Sequence, residues 1–166
     1  MENDINLQRQ EIIRKITEWL HEEGFTINDE SDDSAYYKAT IYQQTPSGGK
    51  TPRISINIPK DKSDKIYVET TFGSRLREEA MDFFKDADDF KDADNANKLT
   101  AALHEAIEPL NITSVGHSAT EDVEVKVFKT IYFNGFSKHV LLETIGDVRA
   151  AFNAMNLAYQ KLKWGR

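Results

Sequence analysis

Ile54-Ser55-Ile56-Asn57-Ile58-Pro59 decides the reading of this chain. Three isoleucines alternate with smaller or polar residues, and a period of two puts every second side chain on one face of a β-strand. Pro59 closes the strand, because its nitrogen has no hydrogen to give to a ladder. On the N-terminal side, Thr45-Pro46-Ser47-Gly48-Gly49-Lys50 is turn chemistry. Before it, Tyr37, Ala39 and Ile41 alternate with Tyr36, Lys38, Thr40 and Tyr42. On the C-terminal side, the polar residues 60–64 lead to Ile66 and Val68, which alternate with Tyr67 and Glu69. Connections this short join antiparallel neighbours, so the three strands form a meander.

Helical spacing brackets the meander. Ile12, Ile13, Ile16 and Leu20 recur on one face and predict a helix over 7–23, with Asn6 as its N-cap and Gly24 as the left-handed residue that stops it. Beyond the strands, Leu76, Ala80, Phe83, Ala87 and Phe90 step by four and three. A second set, Leu99, Leu103, Ala106, Ile107 and Leu110, is rotated from the first, with a break around 93–97 capped by Asp94 or Asn95. Residues 112–115 predict a short strand, 116–122 a polar loop, and Val123, Val125, Val127, Ile131 and Phe133 a longer strand of one parity. Ser137 is the expected cap of a last helix, in which Leu141, Ile145, Val148, Phe152, Met155, Tyr159 and Leu162 form one seam. The order is α-β-β-β-α-β-β-α: an α+β class, an antiparallel sheet of about five strands with helices mainly on one face.

The chain has 166 residues, 21 basic and 28 acidic, a formal charge of −7, and no cysteine. That length predicts a single domain over residues 1–166, which removes about 70% of its unfolded surface from water without a metal or disulfide staple. Disulfides, thiol catalysis and thiolate metal sites are excluded. No apolar run approaches the roughly 20 residues of a membrane span, so the expectation is a cytoplasmic protein. Acid is concentrated in residues 78–94, which carry eight carboxylates against two lysines, and again at Asp29, Glu30, Asp32 and Asp33. Nucleic-acid binding ordinarily shows the opposite balance, because phosphate neutralisation supplies much of the affinity.

Motifs that suggest chemistry fail in context. Gly49-Lys50-Thr51 resembles the end of a phosphate loop, but Gln44 stands where a glycine is needed, and Pro52 and a strand follow instead of a helix. Ser47 and Lys50 fit a Ser-x-x-Lys spacing without its companion motifs. His104-Glu105 begins like a zinc-protease helix, yet Glu108 occupies the place of the second histidine, and His21, His104, His117 and His139 show no ligand pairing. A calcium loop beginning at Asp92 would need glycine at Asn97 and glutamate at Leu103. No nucleophile, base and orienting group assemble, so the expectation is a protein that is not an enzyme and takes no cofactor.

One surface is left. If the aliphatic parity of each strand faces the helices, the opposite face carries Tyr36, Tyr42, Tyr67, Phe128 and Tyr132, with Arg53 among them. Tyrosine is enriched at interfaces, where it brings area with few rotors, so these six residues are the candidate partner-binding set. The two binding alternatives are single-stranded nucleic acid stacked on those rings and a small-ligand sensor. The expected helix over 76–90 and the seam over 141–162 together offer more apolar area than one small sheet readily covers, and Leu76, Phe83, Phe84 and Phe90 are the candidate homodimer interface.

Ile54-Ser55-Ile56-Asn57-Ile58-Pro59-Lys60-Asp61, then Lys65-Ile66-Tyr67-Val68, and Ile131-Tyr132-Phe133-Asn134-Gly135-Phe136-Ser137 before the last helix carry a resemblance. In these stretches and in element order the chain resembles the type III secretion chaperone-like fold and, more narrowly, an uncharacterised, largely archaeal prokaryotic family assigned to it. The resemblance implies a small, often dimeric domain that binds a segment of another protein, and it carries over no catalytic residue.

Overall fold

The computed structural model describes residues 2–61, 63–75, 93–118 and 122–164. Among them the chain runs α1 (Glu2–Glu22), β1 (Thr26–Asp29), β2 (Ala35–Tyr42), β3 (Ile54–Pro59), β4 (Lys65–Arg75), α2 (Ala93–Ile107), β5 (Thr113–Ser118), β6 (Asp122–Tyr132) and α3 (Lys138–Trp164). The class is α+β, with a six-stranded antiparallel sheet in the order β1-β2-β3-β4-β6-β5. Its contacts divide the chain into two compact units, Met1–Glu69 with Lys129–Val148, and Thr70–Phe128 with Arg149–Arg166. Among the described residues, no helix is long and apolar enough to cross a membrane.

In the first unit, α1 buries Ile12, Ile16 and Leu20. It ends as expected: Gly24 takes φ +78°, its amide donates to the His21 carbonyl at 3.1 Å, and the Phe25 amide donates to Leu20 at 2.9 Å. Those two bonds satisfy carbonyls that the last turn would otherwise leave unpaired. The start differs from the expectation. The helix begins at Glu2, so Asn6 lies inside it and caps nothing.

β1 is the strand that periodicity does not disclose. Thr26-Ile27-Asn28-Asp29 is too short and polar to show alternation, and it is held by pairing, with Thr26 opposite Tyr42 and Asp29 opposite Ala39. The next ladders set the faces: Ala39 pairs with Ile56 and Ile56 with Val68, and all three are buried. Tyr37 is buried on the same parity and hydrogen-bonds Thr17 of α1, which places α1 over that face. Burial, and then the Asp29 carboxylate, push the Tyr37 phenol above its ordinary range, while the Thr17 bond acts the other way.

α3 covers the same parity. Ile131 of β6 and Leu141, Ile145 and Val148 of α3 are buried, and Lys129, a polar member of the β6 core parity, meets Asp147 of α3 at 2.6 Å. Ser137 caps α3 as expected, accepting from the Val140 amide at 3.2 Å. Lys138 joins the helix ends, reaching Glu22 at 2.8 Å and Glu23 at 3.1 Å, and Trp19 stacks on Phe136 with centroids 5.3 Å apart.

In the second unit, Val123, Val125 and Val127 of β6 are buried together with Leu99, Leu103 and Ile107 of α2. Phe72 of β4 lies between Phe152 and Tyr159 of α3, at 5.6 Å from each ring. The α3 seam loses contact at its end, where Leu162 is 41% exposed. Two expected boundaries move. α2 already includes Asp94 and Asn95, so neither caps it from outside, and Gly116 and Ser118 belong to β5 while Asp122 opens β6, which takes both ends of the predicted loop into the sheet. Pairing with a long partner extends a strand past the residues whose pattern announces it.

Candidate protein-docking face

With the aliphatic parity of the first unit buried, the other parity forms ordered rows across the ladders. Lys38 pairs with Asn57 and Asn57 with Tyr67, and the next row is Thr40, Ser55 and Glu69. Tyr42 and Arg53 stand one residue beyond the Ile41–Ile54 pair. Tyr132 closes β6, and half of its surface is exposed.

The hairpin between β2 and β3 decides what surrounds Tyr42. The Thr51 amide donates to Gln43 at 2.8 Å, Gln44 bridges Lys50, and the Gly48 amide donates to Thr45 at 3.0 Å. Gly48 takes φ +84°, a conformation that costs glycine nothing and a branched residue a great deal. This tight tip is a turn, and no helix follows it to complete a phosphate loop. It folds Lys50 back so that its ammonium lies 5.0 Å from the centre of the Tyr42 ring, with the Arg53 guanidinium at 6.0 Å. At the other end of the same unit, Lys65 lies 5.8 Å from the Tyr132 ring. A cation over a tyrosine face is held by the ring quadrupole, a contact worth about 0.5–1 kcal/mol when exposed. Neither Lys50 nor Lys65 forms an ion pair among the described residues, and Lys65 has only a longer-range attraction from Asp61.

Tyr36 stands apart from the set. It sits where the register shifts between Ala35 and Tyr37, and an irregularity of this kind re-aims a side chain. Its ring lies 4.8 Å from the guanidinium of Arg9, which hangs from α1 and is itself only 5% exposed. Phe128 belongs to the second unit, where it is half-buried and pairs with Thr113. Leu76, Phe83, Phe84 and Phe90 lie outside the described residues.

Neither Lys50, part of the turn and of two failed motifs, nor Lys65, at the head of the third strand, belongs to the candidate partner-binding set read from the sequence. A charge count finds them: residues 36–67 hold six basic side chains against two acidic ones, a local +4 in a chain of −7. The meander that carries the tyrosines is therefore also where the chain concentrates positive charge.

A second feature is a cleft of about 590 Å³ in the second unit, lined by His104, Glu105, Glu108, Asn111 and Ser114 among others. His104 Nδ1 and Ser114 Oγ lie 3.0 Å apart, and any side chain at Gly116 would run into the imidazole. A serine–histidine pair alone does not make a nucleophile site, which also needs an orienting group for the imidazole and donors for an oxyanion. Here the pair and the bare glycine fit α2 closely against β5. Among the described residues, no group of three or more His, Asp or Glu is placed to hold a metal ion.

No curated protein matches the chain. A crystal structure of an uncharacterized protein from Methanothermobacter thermautotrophicus is similar in fold, with a TM-score of 0.69 and 19% identity, over 91% of this chain and 99% of the other. Residues 12–158 match the family model described as "Uncharacterized conserved protein (DUF2299)", a span from the first buried turn of α1 to the last turns of α3, and the chain belongs to that family.

Proposed function

We propose that this protein is a non-enzymatic protein-binding module, adaptor or chaperone-like in character, that docks a segment of another protein on the half-exposed sheet face around Tyr42, Arg53, Tyr67 and Tyr132. The observation that carries this reading is the division of the strands. One parity is closed by α1 and α3, and the other presents tyrosines set among lysines and an arginine. Large, stiff aromatic rings with a polar rim are the composition of a recognition surface. The type III secretion chaperone-like fold goes with the same reading, since a sheet with helices on one side leaves the other side for a partner, and we include in the proposal a homodimeric state and a cytoplasmic location.

The test is a pair of variants. Tyr67→Ala with Tyr132→Ala is expected to leave the urea midpoint nearly unchanged and to weaken capture of a native partner by about 2 kcal/mol or more, the usual consequence of truncating interface aromatics. Ile56→Ala, on the buried parity, is expected to lower folding stability by about 2–5 kcal/mol. Unchanged partner capture by the tyrosine pair would remove the docking face.

A further inference from the structure

We infer that the segment docked on this face is acidic: an extended stretch of Asp or Glu alternating with apolar residues, its carboxylates taken by Lys50 and Lys65. The inference rests on the docking reading above and names the partner's chemistry. Three observations support it. The meander holds a local charge of +4 within a chain of −7, so charge is segregated rather than scattered. Lys50 and Lys65 have no carboxylate partner at ion-pair distance among the described residues, although acid is abundant in the chain. Each is instead parked over a tyrosine, 5.0 Å from the Tyr42 ring and 5.8 Å from the Tyr132 ring.

That parking discriminates between anionic partners. A single-stranded nucleic acid gains much of its affinity from bases stacked on aromatic faces. On Tyr42 and Tyr132 a base would have to displace the chain's own cation from the ring. A carboxylate needs no such exchange, since it meets the ammonium from the side away from the ring and leaves the cation–ring contact in place. The period of the partner follows from the sheet. An extended segment laid on strands presents every second side chain to the face, so alternation lets its carboxylates reach the lysines while its other residues turn away or pack against the rings.

Fluorescence anisotropy with a labelled synthetic peptide that alternates glutamate with phenylalanine tests this. Its counterpart with glutamine for glutamate, and a labelled oligothymidylate, complete the set. The glutamate peptide is expected to bind at least about tenfold more tightly than the other two. Lys50→Gln with Lys65→Gln is expected to cancel that preference while circular dichroism stays unchanged. Equal binding of the glutamate and glutamine peptides, both weakened by Tyr67→Ala with Tyr132→Ala, would overturn the acidic partner and leave the docking face standing. Glutamate-peptide binding indifferent to the tyrosine pair would remove the face itself. Tighter binding of oligothymidylate, or no binding of the glutamate peptide, would also overturn the inference.

Discussion

Arg9 shows how much one side chain can carry. It continues the Ile12–Ile16–Leu20 face of α1, a place where sequence pattern expects an aliphatic residue, and it is buried. Its guanidinium donates to the backbone carbonyls of Pro59, at 3.2 Å, and Asp61, and rests on the Tyr36 ring. A planar fork does both jobs at once, which lysine cannot. The bonds tie α1 to the β3–β4 connection, while the buried Arg9 Nε finds no acceptor and takes back part of the gain. Arg9→Lys is expected to destabilise the fold by about 1–3 kcal/mol in urea unfolding, the range for lost hydrogen bonds to a charged group, and to speed amide exchange around residues 59–61. A change below about 0.5 kcal/mol, the level of ordinary surface substitutions, would show that the fork contributes nothing.

At the scale of elements, the connections are held by carboxylates, two from the acidic cluster at 29–33 and one from the polar loop 60–64. Asp29 accepts from the Ser31 amide, and Asp32 and Asp61 accept from the amides and hydroxyls of Ser34 and Ser63. Hydrogen bonds to Ser31, Ser34 and Ser63, with the backbone first at Asp29 and the hydroxyl first at Asp32 and Asp61, hold all three carboxyls below the ordinary aspartate range. A depressed folded value means that the turn's contribution is complete above the unfolded value and disappears as pH falls through the lower, folded one. Carbon-detected titration should find the three midpoints below those of exposed aspartates that lack such hydrogen bonds, and Ser63→Ala should return Asp61 toward the ordinary value. An unmoved Asp61 midpoint would mean that the serine does not hold it. These turns also mark how far sequence could be read. Strands 54–59 and 123–132 were legible because burial imposes period two, although Phe133, read into the second, stands in the short 3-10 turn after it, and Ser137 and Gly24 were legible because caps demand particular chemistry. β1 was not, since pairing with β2 holds four residues that have no pattern of their own. Nor were the cation–ring contacts, which exist only because the hairpin register returns Lys50 to Tyr42.

At the scale of the molecule, the remaining question is self-association. Leu76, Phe83, Phe84 and Phe90 are apolar residues of a strongly acidic stretch, and apolar area of that kind is commonly buried between copies. Light scattering across micromolar concentrations is expected to report twice the 19.0 kDa chain, and Phe83→Asp with Phe90→Asp should return a single chain with its circular dichroism intact. A constant monomer would remove the dimer while leaving the docking face untouched, because Tyr42, Tyr67 and Tyr132 are set by strands within one chain.

The stacking of Trp19 on Phe136, with centroids 5.3 Å apart, has a practical consequence for every one of these experiments. The indole reports the junction where the end of α1 meets the chain entering α3, and no tryptophan stands on the docking rows. With Trp164→Phe, the remaining indole emission follows the loss of that junction, while the anisotropy of a labelled peptide follows occupancy of the face. Loss of binding and loss of fold can therefore be watched in one cuvette at two wavelengths.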